Sequence, residues 1–338
     1  MQRLWYERSP IWLLILLLPL SLLFALVVAC RRAAYRVGVF RSIRVPRPVI
    51  VTGNITVGGT GKTPLVIWLA DLLQSKGRRV GIVLRGYGGE SSEWPRQVLS
   101  QTPSSEVGDE AVLLATRTGA IVVAGPDRVA AALRAIELGA DVVLTDDGLQ
   151  HYRLARDCEI AVVDEYRGLG NGWLLPAGPL REPASRLRRV DLIATTRRSN
   201  QQPEHEATAP NRITVQASLQ HAVSLTTHEV RPLESFRNAT VHAVAGIGNP
   251  GAFFAALEQA GLRVDARPLP DHAVLTAADL AFADDAPVLM TEKDAVKCRG
   301  FADGRHWAVR LNTDIDAADT AKVSVLLERV LRSAAENR

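Results

Sequence analysis

The sequence predicts an α/β protein with a mostly parallel sheet, divided into two domains and preceded by a membrane helix. Three observations predict it. From residue 48 apolar segments of strand length alternate with amphipathic helical segments, the pattern of a sheet covered on both faces. A Gly-rich turn, NITVGGTGKTPL (54–65), joins the first strand to its helix. Residues 11–30, IWLLILLLPLSLLFALVVAC, contain no charged side chain.

That first segment is an anchor. A bilayer core needs about 20 apolar residues at helical rise, whereas a signal peptide has an apolar region of about 7–15 ending at small residues, and Cys30-Arg31-Arg32 is a poor cleavage context. Arg31, Arg32, Arg36, Arg41, Arg44 and Arg47 follow the run, which suits anionic headgroups and places the body of the protein in the cytoplasm. A helix crossing the bilayer and one lying in the inner leaflet both fit this pattern.

The remaining elements follow in order. PVIVTGN (48–54) reads as a buried strand, TPLVIWLADLLQSKG (63–77) as a helix, and RRVGIVLRGYGG (78–89) as the next strand. GDEAVLLATRTG (108–119) is a helix, AIVVAGPDR (120–128) a strand, RVAAALRAIELGA (128–140) a helix and DVVLTDDG (141–148) a strand, followed by strands in CEIAVVDEY and DLIATTR. SNQQPEHEATAP (199–210) reads as a linker, and RITVQASL with HAVSLTTHEV as a pair of strands forming a hairpin between domains. TVHAVAGIGNPGAFFAALEQAG opens a second strand, turn and helix, APVLMTEKDAVKC continues it, and a helix near 316–335 closes the chain. The expected division is an anchor (1–37), a P-loop NTPase-like domain (38–205), a hairpin linker (206–238) and a smaller α/β domain (239–338).

A chain of 338 residues exceeds what one core serves, and a hydrophobic fraction of 47% with a single long apolar run marks the bulk as soluble. Cys30, Cys158 and Cys298 lie far apart without a C-x-x-C pair, so neither a disulfide framework nor a zinc knuckle is indicated and a reducing compartment is expected.

Gly58, Gly59 and Gly61 let backbone N–H groups converge on phosphate at a helix N-terminus, with Lys62 reaching the β/γ-phosphates and Thr63 the Mg²⁺. Thr56, Val57 and Thr60 complete the loop, and Thr56 stands where the P-loop pattern has its first glycine. Asp146 and Asp147 end an apolar strand, as a Walker-B element does. Asp109 and Glu110 precede a helix, where capping is the competing reading. His272 follows Pro-Asp, so a turn residue is its alternative. Arg128 and the Pro/Gly-rich loop LLPAGPLREP, with Arg181 and Glu182, supply charges of the kind that attend a transferring phosphate.

The ordered blocks GNITVGGTGKTP, RGYGG, VGDEA, TDDGLQHYRL, DEYRGLGNGWLLPAGPLREP, AGIGNPGAFF, LPDHAVLT and TEKDAVK resemble the tetraacyldisaccharide 4′-kinase family of lipid A biosynthesis, over about residues 35–297. The resemblance implies transfer of the γ-phosphate of ATP to the 4′-hydroxyl of a lipid-linked glucosamine disaccharide, at the cytoplasmic face of the Gram-negative inner membrane. It implies no nucleic-acid or obligate protein partner. It assigns Lys62 and Thr63 to the ATP phosphates and Mg²⁺, and Asp146, Asp147 and Glu182 to the surroundings of the metal. Asp109 becomes the catalytic base, assisted by His272, while Arg128 and Arg181 lie near the nucleotide phosphates. The family often reads D-H-H or D-H-x-x-[FY] where Ala273 and Val274 follow His272 here. A membrane-tethered P-loop ATPase or GTPase switch is the alternative, although TEKDAVK does not keep the register of a guanine-recognition motif.

Overall fold

Val49–Gly53 (β1) is buried along its whole length, and its side chains alternate between two cores, Ile50 on one face and Val49 and Val51 on the other. Such two-faced burial demands helices on both sides of the sheet. The structure, a computed structural model, describes residues 5–6, 11–59, 61–198, 211–237, 239–271 and 273–336.

The apolar run forms one long helix, Ile11–Arg36 (α1). After β1 come Lys62–Ser75 (α2), Val80–Leu84 (β2), Arg96–Val98 (β3), Asp109–Arg117 (α3), Ile121–Ala124 (β4), Arg128–Glu137 (α4), Val142–Thr145 (β5), Cys158–Asp164 (β6) and Leu192–Arg198 (β7). These elements match the predicted order, and the short edge strand β3 is an addition that pairs antiparallel with β4. On one face α2 and α3 cover the sheet through Leu65, Leu69, Leu73, Ala111 and Leu114; on the other, α4 packs Val129, Ala131, Ala132 and Ala135 against Val83 and Val143.

The expected pair of strands after residue 211 is one 13-residue strand, Arg212–Ser224 (β8), with Val230–Pro232 (β9) folding back on it. Neither Gly nor Pro interrupts RITVQASLQHAVS, so the chain turns only beyond Ser224. At about 3.3 Å per residue β8 runs roughly 40 Å, long enough to serve both halves. Its first half is parallel to β7, and its second half is antiparallel to His306–Asp314 (β13). Thr240–Ala245 (β10), Pro250–Gln259 (α5), Arg263–Pro268 (β11), Val288–Thr291 (β12) and Glu292–Cys298 (α6) complete the second half. One sheet therefore runs β11-β10-β12-β13-β8-β7-β6-β1-β5-β2-β4-β3.

The last helix, Ala317–Glu336 (α7), was expected with the second domain. It packs instead on the first core, placing Val323, Leu326, Leu327 and Val330 with residues of α2, β6 and β7. Lys76 binds Glu328 at 2.7 Å across this contact. The second half has its own cores around Phe253, Leu257 and Trp307 on one face and Val244, Leu275 and Met290 on the other.

Candidate active site

The carboxyl ends of β1 and β5 lie side by side, because the two strands pair in parallel from Val49 opposite Val143 to Val51 opposite Thr145. Ligands of open α/β sheets bind at that edge. The Gly-rich loop leaves β1 there, and its spelling follows from its path. Arg181 donates its backbone N–H to the Ile55 carbonyl at 2.7 Å, and Val57 donates to the Pro179 carbonyl at 2.8 Å. Residues 55–57 thus run extended against 179–181, with Thr56 buried, and no left-handed residue is needed where the P-loop pattern has its first glycine. The turn comes later. Gly61, with φ +76°, caps α2, and a Cβ there would lie 3.1 Å from Thr196 Cγ2.

Lys62 opens the helix with its Nζ 3.2 Å from Asn54 Oδ1 and 3.2 Å from Asp147 Oδ1. Arg181 Nη1 donates to both oxygens of Asp147, at 3.2 and 3.0 Å. Although burial alone would raise it, the Asp147 carboxyl is drawn down to about 2 by Lys62 and Arg181. Asp147 takes φ +51°, a left-handed turn that aims its carboxylate back at the loop. The neighbouring Asp146 differs. Burial first, then the charge of Glu110, pushes its carboxyl up to about 7. Its Oδ2 faces the Thr63 hydroxyl at 3.4 Å, and Oδ1 is buried without a hydrogen-bond partner.

An orphaned carboxylate oxygen beside a threonine hydroxyl fits a hard cation. Among the described residues no group of three or more His, Cys, Asp or Glu side chains could hold a metal by itself. Mg²⁺ at a nucleotide is commonly bound through one or two carboxylates, with waters and phosphates filling the rest.

Two predicted residues stand elsewhere. Arg128 is 4% exposed and donates to the carbonyls of Gly125 at 3.2 Å and Asp146 at 3.1 Å. It binds the chain just after β4 and β5, and burial lowers its pKa to about 10. Glu182 is buried, with Oε1 accepting from Gln150 at 3.2 Å and Oε2 from Tyr152 at 2.7 Å, while Arg186 Nε lies 3.3 Å from Oε2. Its carboxylate is therefore committed to this network rather than to Thr63 and Asp146. Gln150 also donates to the Asn54 carbonyl at 3.0 Å, tying the network to the loop. Thr60 and His272 lie outside the described residues.

Asp109 begins α3, and the reason for its preceding glycine is steric: Gly108 has φ +86°, and a Cβ there would meet the Tyr87 carbonyl oxygen at 2.2 Å. The RGYGG segment is thereby pressed against the start of α3. Across the junction between the halves, Lys297 Nζ lies 3.1 Å from Asp109 Oδ2, Lys293 Nζ 3.7 Å from Glu110, and Arg117 pairs with Glu292. Asp294 is fully buried and accepts from Gly246 N–H at 2.9 Å and the Thr291 hydroxyl at 2.6 Å. A residue so committed is not presented to a guanine base, which removes the GTPase reading of TEKD.

His151, in the block TDDGLQHYRL, has its pKa lowered to about 4 by burial first and then by Arg128. An unfolded histidine titrates near about 6.5, so the folded state holds its full advantage above that pH and loses it as pH falls toward about 4. His151→Gln should therefore narrow the difference in Tm between about pH 8 and about pH 5. An unchanged difference would place the acid sensitivity elsewhere.

The family model described as tetraacyldisaccharide-1-P 4′-kinase, LpxK, matches residues 13–332. The chain belongs to this family. It is 50% identical over 334 residues to the tetraacyldisaccharide 4′-kinase of Alkalilimnicola ehrlichii, covering 96% of each chain. It is 49% identical over 332 residues to that of Nitrosococcus oceani, covering 98% of this chain and 95% of the relative. A crystal structure of LpxK from Aquifex aeolicus, described as an "apo" form in complex with ATP, superposes with a TM-score of 0.81 at 31% identity, covering 94% of this chain and 99% of that one. In this member of the LpxK family, sequence reasoning had passed over Asn54 and Lys297. Asn54 sits in the Gly-rich turn and Lys297 in TEKDAVK, yet only the fold reveals what each one faces.

Proposed function

We propose that the protein transfers the γ-phosphate of ATP to the 4′-hydroxyl of tetraacyldisaccharide 1-phosphate. The observation that carries this reading is the convergence of Lys62, Thr63, Asp146 and Asp147 at the edge between β1 and β5, with the acidic start of α3 close enough for Glu110 to act on Asp146. Incoming phosphates exchange with Asp147 for the Lys62 ammonium, and Arg181 stands beside them. Thr63 and Asp146 would hold Mg²⁺, which would supply positive charge to offset that of the phosphate oxygens. Asp109 accepts the proton of the sugar hydroxyl as its oxygen bonds to the γ-phosphorus; the bond from that phosphorus to the β–γ bridging oxygen breaks and ADP leaves. Phosphoryl transfer needs positioning and charge neutralisation more than covalent chemistry.

The membrane supplies the acceptor. Helix α1 is long and apolar enough to cross a bilayer, and Trp12, Leu16, Leu22, Leu23 and Leu26 are exposed. Its contacts favour the inner leaflet instead. Ser21, at mid-helix, donates to the Leu174 carbonyl at 2.8 Å and Arg31 to the Gln150 carbonyl at 3.1 Å, and Trp5, ahead of the helix, donates Nε1–H to the Pro176 carbonyl at 3.0 Å. A spanning helix would drag this irregular loop into the hydrocarbon, where lipid-exposed irregular backbone is not tolerated. A helix lying at the cytoplasmic surface keeps the P-loop beside the headgroups. A cysteine at Trp12 in a Cys30→Ser background should therefore resist an impermeant maleimide applied from the periplasmic side of spheroplasts; labelling from that side would mean that α1 spans.

The activity itself is tested by transfer of labelled phosphate from γ-labelled ATP to tetraacyldisaccharide 1-phosphate in detergent micelles. A folded wild-type protein that yields no labelled lipid would overturn the assignment.

A further inference from the structure

Helix α6 is nailed to the second half of the protein at its first turn. Thr291 caps it by accepting from Asp294 N–H at 3.2 Å, and Asp294 in turn holds the Gly246 N–H that follows β10. One turn on, Lys297 lies on the same face. Its side chain is only 8% exposed, and its ammonium meets three oxygens: Asp109 Oδ2 at 3.1 Å, the Ala273 carbonyl at 3.1 Å and Asp294 Oδ1 at 3.4 Å. An ammonium has three donors, so its capacity is matched, with one acceptor in the first half of the chain and two in the second.

Burying a lysine costs free energy unless it is paired, and a methionine of similar length would fill the space. What the ammonium adds is direction. The Asp109 carboxylate sits at the N-terminus of α3, and Lys297 approaches it from the facing helix. The same atom binds the segment around Ala273, so the spacing between that segment and Asp109 is set through one nitrogen. The flanking pairs Lys293–Glu110 and Arg117–Glu292 keep α3 and α6 in register around it.

We propose that Lys297 is a positioning residue for the catalytic carboxylate: its ammonium orients Asp109 across the junction and holds the Ala273 segment at a defined distance from it. This rests on the reading of Asp109 as the base. Because a misplacement of about 1 Å can cost about 100-fold in rate, Lys297→Met should lower kcat at saturating ATP and lipid by about that factor. The KM for ATP should stay unchanged, since Lys62, Thr63 and Asp146 do not touch Lys297. Lys297→Arg, which restores a cation across the junction, should recover a large part of the loss. Combined with Asp109→Asn, Lys297→Met should slow the enzyme no further.

Should the methionine variant fail to fold, Lys297→Gln, which keeps hydrogen-bond donors without the charge, replaces it with the same expectation. A Lys297→Met or Lys297→Gln enzyme with wild-type kcat, beside a slow Asp109→Asn enzyme, overturns the positioning role alone. So does a rise in the KM for ATP that accounts for the loss, or a double variant slower by the product of both effects. If Asp109→Asn itself keeps wild-type kcat, the reading of the base fails.

Discussion

Lys62→Ala should lower kcat for lipid phosphorylation by about 10³-fold while the protein stays folded, since removing one charged donor from a transition state costs about 10²–10³. The side chain is largely buried, and its ammonium touches both Asn54 on the strand side and Asp147 on the Walker-B side. Its loss leaves Asp147 with Arg181, a two-bond contact that keeps the carboxylate paired and the strand ends in place. The penalty therefore falls on the phosphates. Lys62→Arg should not rescue the rate, because a planar guanidinium presents its donors in a wider fork than the compact ammonium. Measured kcat with saturating ATP and lipid, alongside Tm, checks this. A lysine variant with near-normal kcat would remove the P-loop from the mechanism.

Asp109→Asn should cost about 10²–10⁴ in kcat, the usual contribution of a general base, with little change in the KM for ATP. The substitution keeps the shape and the possibility of a contact with Lys297, so the start of α3 and the junction are conserved while the proton acceptor is lost. That separates the catalytic reading from the capping reading, since the N-cap of α3 is Gly108 and no side-chain hydrogen bond caps it. Single-turnover rates with bound ATP give the comparison directly, and equal rates would return Asp109 to a structural role.

Much of the fold was legible because it rests on local rules. β1, α2, β2, α3, β4, α4, β5, β6 and β7 each announce themselves by apolar period, and most of them by a Gly or Asp at or just past the end. The strands that escaped notice have weak signals. β11, RVDARP, lies at a sheet edge and is mostly exposed, and β13, HWAVRLNTD, carries polar residues along its length, so neither shows a clean buried stripe. The long β8 was split because a strand of 13 residues exceeds the usual length, and nothing in its sequence says that it must serve two neighbours.

At the site, Lys62, Thr63, Asp146 and Asp147 could be named in advance, since a Gly-rich turn before a helix and a carboxylate pair after a strand have only a few uses. The sequence alone also determined the α/β class and the long apolar N-terminal helix with its basic flank. The tertiary structure decided which of two adjacent aspartates pairs with Lys62 and Arg181 and which is buried beside Thr63 with an oxygen left over. It set Arg128 on the carbonyls of Gly125 and Asp146 and Glu182 into the network of Gln150, Tyr152 and Arg186. It brought Lys297 to Asp109 from 188 positions along the chain, and α7 back onto the first core. The physical reason is that helices, strands and turns are selected by neighbours a few residues apart, whereas ion pairing and burial of charge depend on distances that exist only once the sheet has assembled.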